Sequence, residues 1–140
     1  MNKEYFEKID AFFRLLFNYG PASKLKYLKS IAKERGIELP DLYLDFYEAI
    51  RRKMPKSLVG TDILKDVDEF NLWAEELLAE NGIKSFLTEK DFVFMVHQGY
   101  IFWFFKADGT RDPIVFCYSE EDKSKIEIGP FSEFMTQNEI

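Results

Sequence analysis

His97 and Cys117 are the only histidine and the only cysteine of this 140-residue chain. An imidazole that deprotonates a thiol is the simplest nucleophilic pair a protein can build. Both lie in the densest apolar and aromatic stretch, Phe92 to Tyr118, which alternates runs such as Phe-Val-Phe-Met-Val and Ile-Phe-Trp-Phe-Phe with polar turns. Read as antiparallel strands joined by tight turns, this stretch sets His97 across from Tyr100 and Ser119, and Cys117 across from Phe102. The two side chains are then two strands apart and offset along the strand, on the order of 12 Å at standard spacings. A catalytic pair needs about 3 Å. The sequence therefore assigns no catalytic residue. Cys117 reads as a small core residue and His97 as a turn residue that bonds locally.

Metal chemistry fares no better. One His and one Cys cannot make a Cys/His zinc site. Asp108, Asp112, Glu120, Glu121 and Asp122 are hard-cation ligands by type, but they lack EF-hand spacing. No Gly-rich phosphate loop or dinucleotide fingerprint occurs, so no metal and no cofactor is expected.

What remains is recognition chemistry. Ser119-Glu120-Glu121-Asp122 follows an aromatic strand and sits in a loop. Such a loop is either a solvated turn or an acidic surface that steers a basic partner. Asp108 and Asp112, in the preceding turn, carry the same two readings. Tyr100, Trp103 and Tyr118 are hot-spot residue types, and equally are core residues whose polar tips find partners. These eight residues form the candidate partner-binding set.

The elements that must position them follow from periodicity. Helices are predicted over Lys3–Asn18, Ala22–Arg35, Asp41–Lys53 and Asp66–Asn81, with Gly20-Pro21, Gly36 and Gly82 as stops. Lys24, Lys26, Lys29 and Lys33 make a solvated face on the second, and Trp73 joins the inner face of the fourth. Thr61–Lys65 is a short extended piece. Strands are predicted over Phe92–Val96, Tyr100–Lys106 and Pro113–Ser119, with a weaker one at Lys125–Ile128. A last short helix follows from Phe131 to Gln137. With no repeat or linker, residues 1–140 read as a single α+β domain. Its mainly antiparallel sheet of about four strands is packed by the helices that precede it and by the short one at the end.

Pairing the strands across their turns puts Phe94, Trp103 and Phe116 in one row, with Val96, Ile101 and Tyr118 beside them. The other face carries Met95, Phe102 and Cys117, next to Val93, Phe104 and Val115. Both faces are apolar, unlike a sheet with one wet side. Either helices cover both faces, or one face is partly bare and offers an aromatic patch to a partner.

The net charge is −6 and the pI about 4.9. A nucleic-acid partner would call for a basic footprint, and an anionic membrane would repel this chain. A basic protein would be attracted. A single cysteine suits a reducing compartment. The polar, acidic start Met-Asn-Lys-Glu-Tyr-Phe-Glu is unlike a signal peptide, and no apolar run reaches the ~20 residues of a membrane span. A cytosolic protein is expected.

The order of motifs resembles the SUKH superfamily, which includes the SMI/KNR-type domains. The likeness is carried by Leu39-Pro40-Asp41 with Tyr43, Phe46 and Tyr47, then by Phe94–Phe105 around His97-Gln98-Gly99-Tyr100. Asp112-Pro113-Ile114-Val115-Phe116 with Tyr118 and Glu120 continues it, and Phe131-Ser132-Glu133-Phe134-Met135 ends it. It covers Gly36 to the C-terminus and is weakest over residues 1–35. The resemblance implies helices packed on a mainly antiparallel sheet. It also implies a non-enzymatic protein-binding role. Many bacterial members are immunity proteins that bind and block a cognate toxin, and others are adaptor or regulatory domains. A small-molecule-binding or hydrolytic enzyme is the third class, since a deep aromatic pocket can exist without a motif.

Overall fold

The computed structural model describes the backbone of residues 21–140 and the side chains of residues 25–140. The helix expected over Lys3–Asn18 and the Lys24 side chain lie outside the described residues. The chain divides into two compact units, Met1–Gly36 and Ile37–Ile140.

In the first unit, helix α1 spans Pro21–Arg35. Pro21 suits a first turn, where no intrahelical partner exists for its missing N–H. Lys33 and Arg35 lie in the last turn, where they complement the negative end of the dipole. Lys26, Lys29 and Lys33 are exposed, as the sequence predicts, while Leu28 and Ile31 are buried. Gly36 ends the helix at a φ of +65°, a conformation that costs glycine little.

The second unit runs α2 (Asp41–Arg52), β1 (Thr61–Asp62), α3 (Phe70–Glu80), β2 (Asp91–His97), β3 (Ile101–Lys106), β4 (Ile114–Ser119), β5 (Ser124–Pro130) and α4 (Phe131–Gln137). The five strands form one antiparallel sheet in sequence order. The fold is α+β, with four of the five strands in the C-terminal half. One strand more than expected appears, because Thr61 and Asp62 pair with His97 and Val96. Helix α3 begins later than its periodicity suggests. Asp66 adopts a left-handed conformation (φ 61°), which a right-handed helix cannot absorb. A single tight turn at Val67–Glu69 intervenes before Phe70.

The strand register corrects the expected rows. His97 pairs with Ile101, not Tyr100, so the turn holds three residues rather than two. This shifts the upper half of the β2–β3 pairing by one: Met95 lies opposite Trp103 and Val96 opposite Phe102. A bulge at Phe94 restores the lower half, where Val93 faces Phe104 as expected. Pairing of β3 with β4 is also one residue off the expected rows. Phe102 meets Tyr118, Trp103 meets Cys117 and Phe104 meets Phe116. A slip of one exchanges the faces. Trp103 and Tyr118 therefore lie on opposite sides of the sheet, not in adjacent rows of one side.

The bulge also turns two consecutive residues, Phe94 and Met95, to one face. Phe94 meets Phe105, Phe131 and Phe134 there at ring-centroid distances of 5.4, 5.3 and 5.6 Å. Tyr43 and Phe46 of α2 complete the cluster, 5.2 Å from Phe92 and 5.7 Å from Phe94. All but Phe134 are below 1% exposed, so α2 and α4 cover this part of the sheet tightly. On the other face Phe86 stacks on Phe104 at 5.7 Å, and Phe102 on Tyr118 at 5.3 Å. Lys125 Nζ lies 5.2 Å from the Phe86 ring and 5.1 Å from that of Phe116, a cation–π arrangement at the rim. Helix α3 flanks this face. Of the two expected arrangements, elements on both faces describe the second unit best, but Trp103 and Phe116 stay half-buried.

Strand β1 is too short to cover the edge of β2. Asn71 of α3 takes over further along. Its Nδ2 donates to the Asp91 carbonyl at 2.9 Å, and its Oδ1 accepts from the Val93 N–H at 2.9 Å. One side-chain amide thus replaces the donor and acceptor of a missing neighbouring strand.

Candidate functional site

The β2–β3 and β4–β5 turns lie side by side at one end of the sheet. In the first, Gln98 and Gly99 take φ of 49° and 80°, and the Tyr100 N–H closes the turn on the His97 carbonyl at 3.2 Å. Tyr100 is exposed, its hydroxyl donating to Gln98 Oε1. The Tyr100 carbonyl accepts from the Glu120 N–H at 2.9 Å, which ties the second turn to the first. In that second turn Lys123 adopts a φ of 50° and donates its N–H to the Ser119 carbonyl at 2.8 Å. Glu120, Glu121 and Asp122 are exposed, with Lys123 the one basic residue among them. Of the eight predicted site residues, the structure brings Tyr100, Glu120, Glu121 and Asp122 together.

The other four fall elsewhere. Tyr118 is fully buried, and its hydroxyl accepts from Asn81 Nδ2 at 2.8 Å, so it offers no surface. Trp103 is half-buried on the opposite face beside Cys117. Asp108 and Asp112 belong to the β3–β4 loop at the far end of the sheet, on the order of 20 Å away across a six-residue strand. Asp108 accepts from the Thr110 hydroxyl at 2.6 Å and its N–H at 3.1 Å, which holds its carboxyl below its ordinary range. Asp112 accepts from Ser132 N–H at 2.8 Å and from its hydroxyl at 2.6 Å. Pro130, before helix α4, has no side-chain acceptor, so Asp112 supplies the missing cap from 20 residues upstream.

His97 and Cys117 stay apart. Ser119 lies two strands across from His97, and Cys117 two residues beyond it, which again gives on the order of 12 Å. His97 Nδ1 lies 3.0 Å from the Thr61 hydroxyl of β1, and its ring also packs edge-on against Tyr100 of its own turn at 6.0 Å. Burial pushes the Cys117 thiol up to about 11, with the Asp122 charge adding to the shift, so at neutral pH it is not a thiolate. Among the described residues no group of three or more His, Cys, Asp or Glu is placed to hold a metal ion, and no helix is long and apolar enough to cross a membrane.

Beside the Tyr100 turn, a groove of about 330 Å³ opens between α3 and the sheet. Trp73, Glu76 and Glu80 line it from the helix, and Asp62, Gln98 and Phe102 from the strands and turn. A second cavity of about 430 Å³ lies at the far end, near Glu38, Asp45, Arg111 and Asp112. Neither is lined by His97 or Cys117.

Comparison with protein-family models, curated proteins and solved structures returns no match. The SUKH likeness thus rests on the motifs of this chain alone.

The groove residues were not among those singled out from sequence. Trp73 reads there as part of the inner face of α3, yet it is half-buried and forms a wall. A usable signal existed: Trp73, Glu76 and Glu80 follow the i, i+3, i+7 spacing of one helical stripe, flanking the buried line Phe70, Ala74, Leu77.

Proposed function

We propose that this chain is a non-enzymatic protein-binding module that covers a basic surface of its partner with the acidic, aromatic end of its sheet. The observation that carries this reading is the bond between the Tyr100 carbonyl and the Glu120 N–H. It fixes an exposed aromatic residue and three exposed carboxylates in one continuous surface, with the Cys117 thiol buried away from it. The overall charge of −6 works in the same direction, because long-range attraction raises association rates with basic proteins. With the SUKH resemblance, the partner is a bacterial toxin domain, and the chain acts as its immunity protein by occlusion, in the cytosol.

Co-expression with the C-terminal domain of a toxin encoded beside this gene tests the role. Protected cells support it. Unprotected cells refute it for that pair, and a complex that forms without protection favours an adaptor role. In the complex, the Glu120→Lys, Glu121→Lys, Asp122→Lys variant is expected to associate about tenfold or more slowly at low salt. An unchanged rate removes this turn from the interface.

A further inference from the structure

The groove beside the Tyr100 turn has a composition that narrows what fits it. Leu77, Val96 and Phe102 supply apolar surface within it, and Trp73 supplies an aromatic wall. Asp62, Glu76 and Glu80 bring three carboxylates, while among the described residues no Lys, Arg or His lines the groove. No ion pair joins Asp62, Glu76 or Glu80 to another of the described residues. A matching group is apolar along its stem and cationic at its tip. Arg has that form: its methylenes cover apolar surface while its head reaches polar partners. Its planar guanidinium stacks on an indole and pairs with carboxylates by two parallel hydrogen bonds, which the ammonium of Lys cannot reproduce.

We propose that this groove receives an arginine side chain of the protein partner. The inference rests on the protein-binding role proposed above and deepens it. Gln98 and Gly99 belong to both the groove and the Tyr100 turn, so the groove continues the same surface. The acidic turn then serves encounter, and the groove holds one anchoring residue.

The test needs no partner. The isotopically labelled full chain is titrated with Nα-acetyl-arginine-N-methylamide and followed by amide-resolved NMR. The citrulline and leucine analogues are titrated in parallel. The arginine probe is expected to shift the Trp73 indole N–H and the Gln98 and Gly99 amides, with a Kd on the order of 1–10 mM. Both analogues should shift them at least about fivefold less. The Glu76→Gln, Glu80→Gln variant should weaken arginine binding about tenfold, its dispersed spectrum showing that it folds. If that variant loses dispersion, Asp62→Asn alone carries the comparison. Equal shifts with citrulline would overturn the cationic assignment, and equal shifts with leucine would mark the groove as a seat for an apolar segment. Undiminished arginine binding by the variant would overturn the groove. A failed titration removes the anchor without touching the acidic-turn reading. A failed co-expression leaves the arginine selectivity of the groove to stand on its own data.

Discussion

Asn71 gives the sharpest check on how the sheet edge is held. Replacing it with alanine removes both hydrogen bonds to β2, at the Asp91 carbonyl and the Val93 N–H. Each such bond contributes about 0.5–1.5 kcal/mol net, so the loss is about 1–3 kcal/mol. Alanine's better helix propensity returns about 0.5 kcal/mol. The expected net cost is about 0.5–2.5 kcal/mol, against the 5–15 kcal/mol typical of a domain. Urea unfolding of the full chain measures it, and hydrogen exchange locates it, since the Val93 amide should lose protection. The neighbouring Leu72→Ala is the control: Leu72 is 57% exposed, and its truncation should cost no more than about 0.5 kcal/mol. A cost below about 0.5 kcal/mol for Asn71→Ala, with Val93 still protected, would show that the side-chain amide does not stand in for a strand.

Asp112→Ala should destabilise the second unit by about 1 kcal/mol by uncapping α4, with Asp112→Asn retaining most of the effect of the native residue. Equal costs from Ala and Asn in urea unfolding would argue against capping. For Cys117, the folded thiol lies at about 11, above its unfolded value near 9. The unfolded chain therefore loses its proton first as pH rises. The protonated thiol's contribution is fully present below about pH 9 and fades between about 9 and 11. Cys117→Ala should flatten the parent's loss of stability over that window, and the native thiol should react slowly with a disulfide reagent at neutral pH. Fast labelling of the folded chain would contradict its burial.

Helix spacing made α1, α2 and α4 legible from the sequence, with Gly36 marking the end of α1, and alternation located the strands. Register was not legible, and the reason is physical. Alternation fixes register only where one face is polar. Here Trp103 and Phe102 are equally acceptable on either face, so nothing in the pattern resists a one-residue slip. The three-residue turn and the Phe94 bulge shift the pairing in opposite senses, and neither leaves a signature in an apolar run. The β3–β4 loop, Ala107–Pro113, is too long to impose register through turn geometry. The site suffered accordingly. Tyr100, singled out by residue type at the start of a predicted strand, and Glu120, singled out by charge, are exposed in turns, whereas Tyr118, a hot-spot type that read also as core, is core. Asp112 looked like surface charge, although its partner, Ser132, is 20 residues away in sequence.

The sequence-ordered sheet also shapes the entropy of its assembly. Only three residues separate β2 from β3, seven separate β3 from β4 and four separate β4 from β5, so these pairings close short loops. Strand β1 joins β2 across 28 residues. For flexible loops, closing that span costs about 2 kcal/mol more than closing the three- or four-residue turns, and only four residues pair in return. The four-stranded meander is therefore the part whose pairings can form from local encounters. The β1 edge, which supplies Asp62 to the groove, depends on the intervening helix being in place.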